Sequence, residues 1–365
     1  MRVLVLTADI GAGHDLPAEL LADGIRARLP GAEVAVEDAL VAMGPFLHAI
    51  GRSGAETILE RMRGLFELQY WLLTVFAPTR RLASALLVLV GARGLLKLVR
   101  RFRPDVIVST YPGSTEIIGA LRRAGRIRVP CVSAITDLAA LRYWAHPGID
   151  RHLVIHAESR AEVLEIAGPR ADVRHVRGLS RPEFEHPPDR ASARAALGLP
   201  ATAGIVLVSG GGWGLGDIEG AARTGRRLGA AVVCLCGTNA GLRARLGHAF
   251  AGDPLVRVEG FTDAMCTYLA AADVLVHSTA GLTMLEAQMC GTRAISYGWG
   301  VAHIRANNRA YERFGLAAVA GTPALLEVEM RRALETPRPP DRSFAALPHA
   351  ADAVLELAAA APAVA

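Results

Sequence analysis

The residues whose types and spacing could do chemistry lie between Ser278 and Glu286. The turn Ser278-Thr279-Ala280-Gly281-Leu282-Thr283 follows the apolar run Val274–His277 and opens a helical stretch through Met289, with Gly291 as its stop. A small-residue turn that opens a helix directly after a strand exposes backbone N–H groups at the positive end of the helix dipole. Such a turn suits a phosphate or diphosphate. Glu286 sits just inside the helix; its carboxylate repels phosphate but can accept two hydrogen bonds from a ribose diol. Phosphate at the turn and ribose at the glutamate describe a nucleotide. The same pattern also fits an ordinary strand-turn-helix of an α/β protein with Glu286 on a solvated face.

The elements needed to position that turn recur along the chain. Arg2–Ala8 is a continuous apolar run, as expected of a strand buried on both faces of a parallel sheet. It leads into Gly11-Ala12-Gly13-His14 and a helix from about Leu16 to Leu29, with Pro17 in its first turn. A second strand, Glu33–Glu37, ends in acids. This opening approaches a dinucleotide-binding fingerprint but lacks the third glycine, and His14 and Asp15 stand where a pyrophosphate would approach. Further strands are expected at 104–109, Val129–Ile135, His152–Ile155 and Val173–Val176, with Ser159 as an N-cap. The proline-rich, charged segment 181–188 marks a boundary. Beyond it, Gly204–Ser209 runs into Gly210-Gly211-Gly212-Trp213-Gly214, and Val232–Leu235 and Val256–Glu259 continue a second α/β unit. Repeated βα units in two halves predict two doubly wound Rossmann-like domains facing a cleft, residues 1–180 and 181–345, with a closing helix in 346–365. The loops beyond the strand ends (9–14, 110–113, 136–144, 209–214 and 278–283) are where a ligand should bind.

Composition narrows the classes. Of 365 residues, 52% are hydrophobic and 5% aromatic, so the core is aliphatic; the net charge is +5, carried almost wholly by arginine, with Lys97 the one lysine. That balance suits phosphorylated or anionic-lipid partners and is too dispersed for a nucleic-acid footprint. Five cysteines without repeated spacing do not form a disulfide framework. Cys234 and Cys236 alternate on one strand and read as small core residues, not a metal pair. A strand at the very start leaves no signal peptide in view, which makes a cytoplasmic protein the expectation. Ser53–Arg103 is a long helical tract whose uncharged runs are shorter than the roughly 18 residues of a spanning helix. In it, Arg93, Lys97 and Arg100 or Arg101 form a basic stripe, with Leu95, Val99 and Phe102 on another face. This pattern fits an amphipathic helix on an anionic membrane, or a surface helix over a sheet.

In order along the chain, the segments Gly11–His14, PDVIVSTYP (104–112), ITDLAALRYWAHPGID (135–150), VRGLSRPEF (176–184), VSGGGWGLG (208–216), VCLCGTNAGLRARL (233–246) and EGFTDAMCTYLAAADVLVHSTAGLTMLEAQMCG (259–291) resemble the inverting glycosyltransferases that include monogalactosyldiacylglycerol synthases and diacylglycerol glucosyltransferases. The peptidoglycan GlcNAc transferases are more distant. The resemblance implies the GT-B fold, a UDP-sugar bound by the C-terminal domain, a lipid acceptor at the N-terminal one, and neither metal nor cofactor beyond the UDP-sugar co-substrate. On the donor side it implies Gly210, Gly211, Gly212, Gly237, Asn239, Phe261, Met265, Ser278, Thr279, Ala280, Gly281, Leu282, Thr283, Glu286, His303 and Asn307. On the acceptor side it implies Gly11, Gly13, Tyr111, Pro112 and Trp144. Three positions depart from the family: Leu141 replaces a histidine, the donor turn reads Ala280-Gly281-Leu282-Thr283, and His303-Ile304 replaces a Gln-Glu pair, with Asn307 retained.

The expected reaction is an attack of an acceptor hydroxyl on the sugar carbon while a base removes its proton and UDP departs. His14 is the first candidate base, because a neutral imidazole titrates in the right range; the alternative is a histidine capping the following helix. Asp137 is the second, as a base or as the group that orients His14 or the acceptor, its alternative being an N-cap after the strand. A sugar-nucleotide epimerase or hydrolase, a transferase acting on a soluble natural product and a non-catalytic nucleotide-binding module are the rival readings. The expected location is the cytoplasm, peripherally at the inner face of the membrane, with no nucleic-acid partner.

Overall fold

The computed structural model describes residues 1–9, 12–45, 47–48, 68, 70–278, 281–298 and 302–360. The chain divides into two compact units, one running to Ser180 and resuming at Leu347, the other Arg181–Ala346.

The first unit is built on β1 (Arg2–Thr7), β2 (Glu33–Asp38), β3 (Val106–Ser109), β4 (Cys131–Ile135), β5 (Arg151–Val154) and β6 (Asp172–His175). They form one parallel sheet in the order β2-β1-β3-β4-β5-β6. Val3, Leu4, Val5 and Leu6 are fully buried, because helices cover both faces of the sheet, which is why β1 reads as an unbroken apolar run. The first helix is Ala12–Arg28, four residues earlier than the sequence predicts, so Pro17 lies inside it rather than in its first turn. The final helix, Ala350–Ala360, packs on Ala12–Arg28. It is held by Arg28 to Asp352 (2.5 Å) and by Arg151, which donates to the Ala353 carbonyl (2.6 Å) and Asp172 (2.7 Å). The His349 ring fills space that a side chain at Gly24 or Gly178 would occupy: a Cβ would come within 2.8 Å and 2.3 Å of it.

Helix Ala77–Phe102 follows a π-helical turn, Trp71–Val75. It runs for 26 residues and contains an 18-residue window of mean hydropathy 1.9, so by length and composition it could cross a membrane. Its C-terminal half is committed to the core. Leu95, Leu96 and Leu98 are buried with Leu4, Ile107 and Ile117, and Gly94 presses so closely on Ala42 that a Cβ would collide with its carbonyl. Leu95, with Val99 and Phe102 beside it, therefore faces the sheet and not a membrane. The residues left outside run along a single stripe: Leu82, Leu86, Leu89 and Val90, exposed by 60, 50, 75 and 41%, continue into exposed Arg93, Lys97 and Arg100. The part of the tract at 53–67 lies outside the described residues.

The second unit contains β7 (Ile205–Ser209), β8 (Ala231–Leu235), β9 (Val256–Glu259), β10 (Val274–His277), β11 (Arg293–Tyr297) and β12 (Ala318–Ala320). They form a second parallel sheet in the order β12-β11-β10-β7-β8-β9. Cys234 and Cys236 are both buried in its core, and burial pushes the Cys234 thiol up to about 12.

Candidate functional site

In a doubly wound sheet the strand order reverses at one point, and the crevice there, beyond the carboxyl ends of the strands, takes the ligand. In the second unit the reversal lies between β7 and β10, since β8 and β9 build outward one way and β10 to β12 the other. The loops leaving these two strands are 210–217 and 278–281, the two turns that the sequence singles out. They are tied together at their roots. The His277 Nδ1 lies 2.9 Å from the Ser209 carbonyl, and the Ser278 hydroxyl donates to the Leu215 carbonyl at 2.5 Å. Burial holds His277 down to about 4, so its ring is a neutral strut. The glycines are needed here. Gly211, Gly214 and Gly237 adopt positive φ of 69, 65 and 58°, and a Cβ on Gly237 would meet the Gly212 carbonyl at 2.2 Å. Thr238 N–H donates to that same carbonyl at 2.8 Å, so the loop after β8 locks the one after β7.

Gly281 (φ 114°) precedes helix Leu282–Met289, where the chain turns from β10 into the helix. Glu286 is 6% exposed, which excludes the solvated-face alternative: a carboxylate at such depth is held for a partner or a ligand. Asn239 turns out to cap helix Ala240–Ala249, accepting Leu242 N–H at 2.9 Å. Asn307 is fully buried and donates to the His303 carbonyl one turn back, whereas His303 is exposed. Phe261 is 64% exposed and Met265 half-buried at the start of helix Met265–Ala271. Thr279 and Ala280 lie outside the described residues, as does Gly11.

In the first unit the reversal lies between β1 and β3. The structure brings His14, Tyr111, Trp144 and Asp137 together there. His14 sits in the first turn of helix Ala12–Arg28, not in the loop before it. Its Nδ1 lies 3.0 Å from the Thr110 carbonyl, 96 residues away, so it bridges two strand ends rather than capping its own helix. A carbonyl only accepts, which places the ring hydrogen on Nδ1 and the basic lone pair on Nε2. The ring stands edge-on to Tyr111 at 5.4 Å and 5.7 Å from Trp144. Trp144 donates its indole N–H to Asp137 Oδ2 at 3.0 Å. Residues 136–150 contain no helix, so Asp137 is not an N-cap. Burial, helped by the Asp38 carboxylate, pushes the Tyr111 phenol up to about 12, leaving a neutral hydroxyl. Pro112 starts helix Pro112–Arg123, and Gly13 is exposed.

Residues 14–178 match the family model described as monogalactosyldiacylglycerol synthase. The chain is 24% identical over 330 residues to the processive diacylglycerol beta-glucosyltransferase of Bacillus pumilus, covering 87% of this chain and 82% of that one. It is 28% identical over 310 residues to a probable monogalactosyldiacylglycerol synthase 2, chloroplastic, of Oryza sativa subsp. japonica, covering 80% of this chain and 64% of the rice protein. Among solved structures, MurG of Acinetobacter baumannii superposes with a TM-score of 0.58 at 15% identity, over 98% of this chain and 99% of that one. Arabidopsis thaliana UGT89C1 complexed with UDP gives 0.56 at 14% identity, over 99% and 94%. The chain has the two-sheet fold of the GT-B glycosyltransferases, and over residues 14–178 it is similar to the monogalactosyldiacylglycerol synthases.

Several residues that support the site escape a reading by spacing. Ser109, Ser114, Thr115 and Ser133 form a buried hydroxyl chain: Ser109 to Ser114 is 2.7 Å, Thr115 to Ser109 is 2.9 Å, and Ser133 donates to the Trp144 carbonyl at 2.7 Å. It fixes the Tyr111 turn and the Trp144 loop together. Ser159 takes the expected N-cap position of helix Arg160–Ala167, but its hydroxyl makes no capping bond and instead donates to the Leu138 carbonyl at 2.9 Å. Glu162 accepts Leu141 N–H at 2.8 Å. These two bonds hold a loop in which Ala140 and Tyr143 take left-handed φ of 63 and 75°, a strain of about 1–3 kcal/mol each. Leu141 points into the core and is fully buried. A histidine there would meet Ile135 and Val154 rather than a substrate. The one signal available was composition: serines and threonines dense at and just after the end of β3, at 109, 110, 114 and 115.

Proposed function

We propose that the chain moves a hexose from a UDP-sugar to a hydroxyl of a diacylglycerol-type lipid, with inversion and without a metal ion. The observation that carries this reading is the convergence of His14, Tyr111, Trp144 and Asp137 at the strand reversal of the first unit. The donor is assigned to the turns of the second unit, with Glu286 on the ribose; the neighbour complexed with UDP supports that choice of nucleotide. The acceptor is assigned by the names of the two relatives.

The acceptor oxygen attacks the anomeric carbon, its proton passes to Nε2 of His14, and the bond to the diphosphate breaks with its electron pair leaving on UDP. The departing diphosphate gains charge. Fixed N–H donors in the turns 210–212 and 281–283 then favour the transition state over the ground state, which is the work a metal ion would otherwise do. Asp137, held by the Trp144 indole, keeps a negative charge near the imidazolium that forms, or serves as the base in its place.

The stripe Leu82–Leu86–Leu89–Val90 and the stacked pair Trp71 and Phe76 (5.0 Å) form an exposed apolar patch, with Arg93, Lys97 and Arg100 beyond it. Apolar residues inserted among acyl chains, with cations over anionic headgroups, describe peripheral membrane binding. The test is product analysis by mass spectrometry with several UDP-sugars and vesicles containing diacylglycerol and anionic lipid. One hexose added per diacylglycerol is expected. Vesicle flotation should fall at high salt and be lost in a Leu86→Glu, Leu89→Glu variant. Transfer only to soluble acceptors, with no flotation, would overturn the lipid assignment.

A further inference from the structure

The second unit carries a cavity of about 320 Å³ at the amino-terminal ends of β11 and β12, the edge opposite the glycine turns. Three arginines line it, Arg293, Arg332 and Arg338, with Glu312 and Glu329 at its walls. Among the described residues none of the three guanidinium groups is ion-paired; Arg293 spends its Nε–H on the Thr336 carbonyl. Three arginines lining a cavity of that volume offer forked donors that suit a tetrahedral oxyanion, since a guanidinium binds phosphoryl groups in bidentate fashion. A cavity of roughly 300 Å³ is at the small end of ligand sites, which limits the guest to a phosphoester or diphosphate of modest size.

The cavity is also tied to the helix that bears Glu286. Gln288 of helix Leu282–Met289 donates to the carbonyl of Leu316, a lining residue, at 3.2 Å, and its own carbonyl accepts Asp341 N–H at 3.3 Å. Gly291, just past that helix, is packed under the 338–340 segment so tightly that a Cβ would come 2.5 Å from Pro340 N. We propose that this cavity is a second, regulatory anion site that takes a phosphate-bearing small molecule and is coupled through Gln288 to the donor helix. The anion site stands on its own geometry; only the coupling rests on the donor reading of Glu286.

The experiment is calorimetry on the full chain with inorganic pyrophosphate, run without UDP and with UDP saturating, so that the donor turns are filled in one arm. Saturable binding that persists with UDP present is expected, weakened at least tenfold in an Arg332→Gln, Arg338→Gln variant whose UDP affinity and melting temperature are unchanged. Pyrophosphate should shift UDP affinity, and UDP should shift that of pyrophosphate by the same factor. Glycerol phosphate and a short-chain soluble phosphatidate, titrated in parallel, tell a free phosphoester from a lipid headgroup. Pyrophosphate binding that UDP abolishes, or that the double variant retains in full, would overturn the site. Arginine-dependent binding in a protein that fails to bind UDP would keep the site and remove the donor reading instead.

Discussion

The two units put their candidate residues at the same topological place and build them from opposite materials. At the β1/β3 reversal the site is made of side chains, His14, Tyr111, Trp144 and Asp137, braced by buried hydroxyls. At the β7/β10 reversal it is made of backbone, with glycines at positive φ and one deeply placed carboxylate, Glu286. The difference follows the chemistry assigned to each. A diphosphate presents many oxygens and needs a dense set of small, fixed dipoles, for which backbone N–H groups are the most compact source. Proton transfer needs one group of the right basicity in one tautomer, and only a side chain supplies that.

If the division holds, changes on the two sides should separate rate from binding. The largest effect is expected for His14→Ala: turnover down about a hundredfold or more, with UDP affinity unchanged in calorimetry. Turnover within a few-fold of the parent would move the base to Asp137. Glu286→Ala should show the converse, weakening UDP by about 1.5–3 kcal/mol through loss of charge-assisted hydrogen bonds. Unchanged UDP affinity would remove Glu286 from the donor site and break the contrast from that side.

A smaller effect separates the units in acid. Burial holds His146 and His152 down to about 4 and His156 to about 3 in the first unit, against the single His277, at about 4, in the second. Because these folded-state values lie below the ordinary 6.5, the unfolded chain binds the extra protons between them. Their contribution is therefore complete above about pH 6.5 and is lost as pH falls toward 4. The first unit should lose amide-exchange protection in β4 and β5 before the second loses it in β7 and β10. Equal loss in both units at pH 5 would mean that these histidines do not control the acid response.

The fold was legible wherever one local pattern fixed an element. Val274–His277 was read to the residue, the closing helix falls inside the expected 346–365, and the other strands named came within about two residues at either end, because parallel strands buried on both faces are apolar throughout. Neither β11 (Arg293–Tyr297) nor β12 was read, the latter being three residues long at a sheet edge. The start of Ala12–Arg28 was missed because glycine and alanine carry no periodicity, and that miss carried His14 from the loop into the helix. The spacing around Ser278–Glu286 was enough to place the strand and helix on which the donor reading rests, whereas Asn239 and Asn307 each bond within the helix they sit in. The braces of the other site pair residues that spacing cannot connect: Ser133 with Trp144, Ser159 with Leu138, His14 with Thr110. The inward turn of Leu95 and Val99 was equally invisible, since a stripe on a helix shows its period and not the side on which the sheet lies.

The helix Ala350–Ala360, clasped by Arg28 and Arg151 and seated where Gly24 and Gly178 make room for His349, makes the first unit discontinuous in the chain. On the ribosome the second unit, contiguous from Arg181 to Ala346, has all its strands before synthesis ends. The first unit, although its six strands emerge earlier, must wait for 347–360 before its first helix is covered and Arg151 of β5 meets the Ala353 carbonyl. The order of synthesis and the order of completion are thus reversed, and a chain cut at Ala346 would carry a finished second unit beside an unfinished first one.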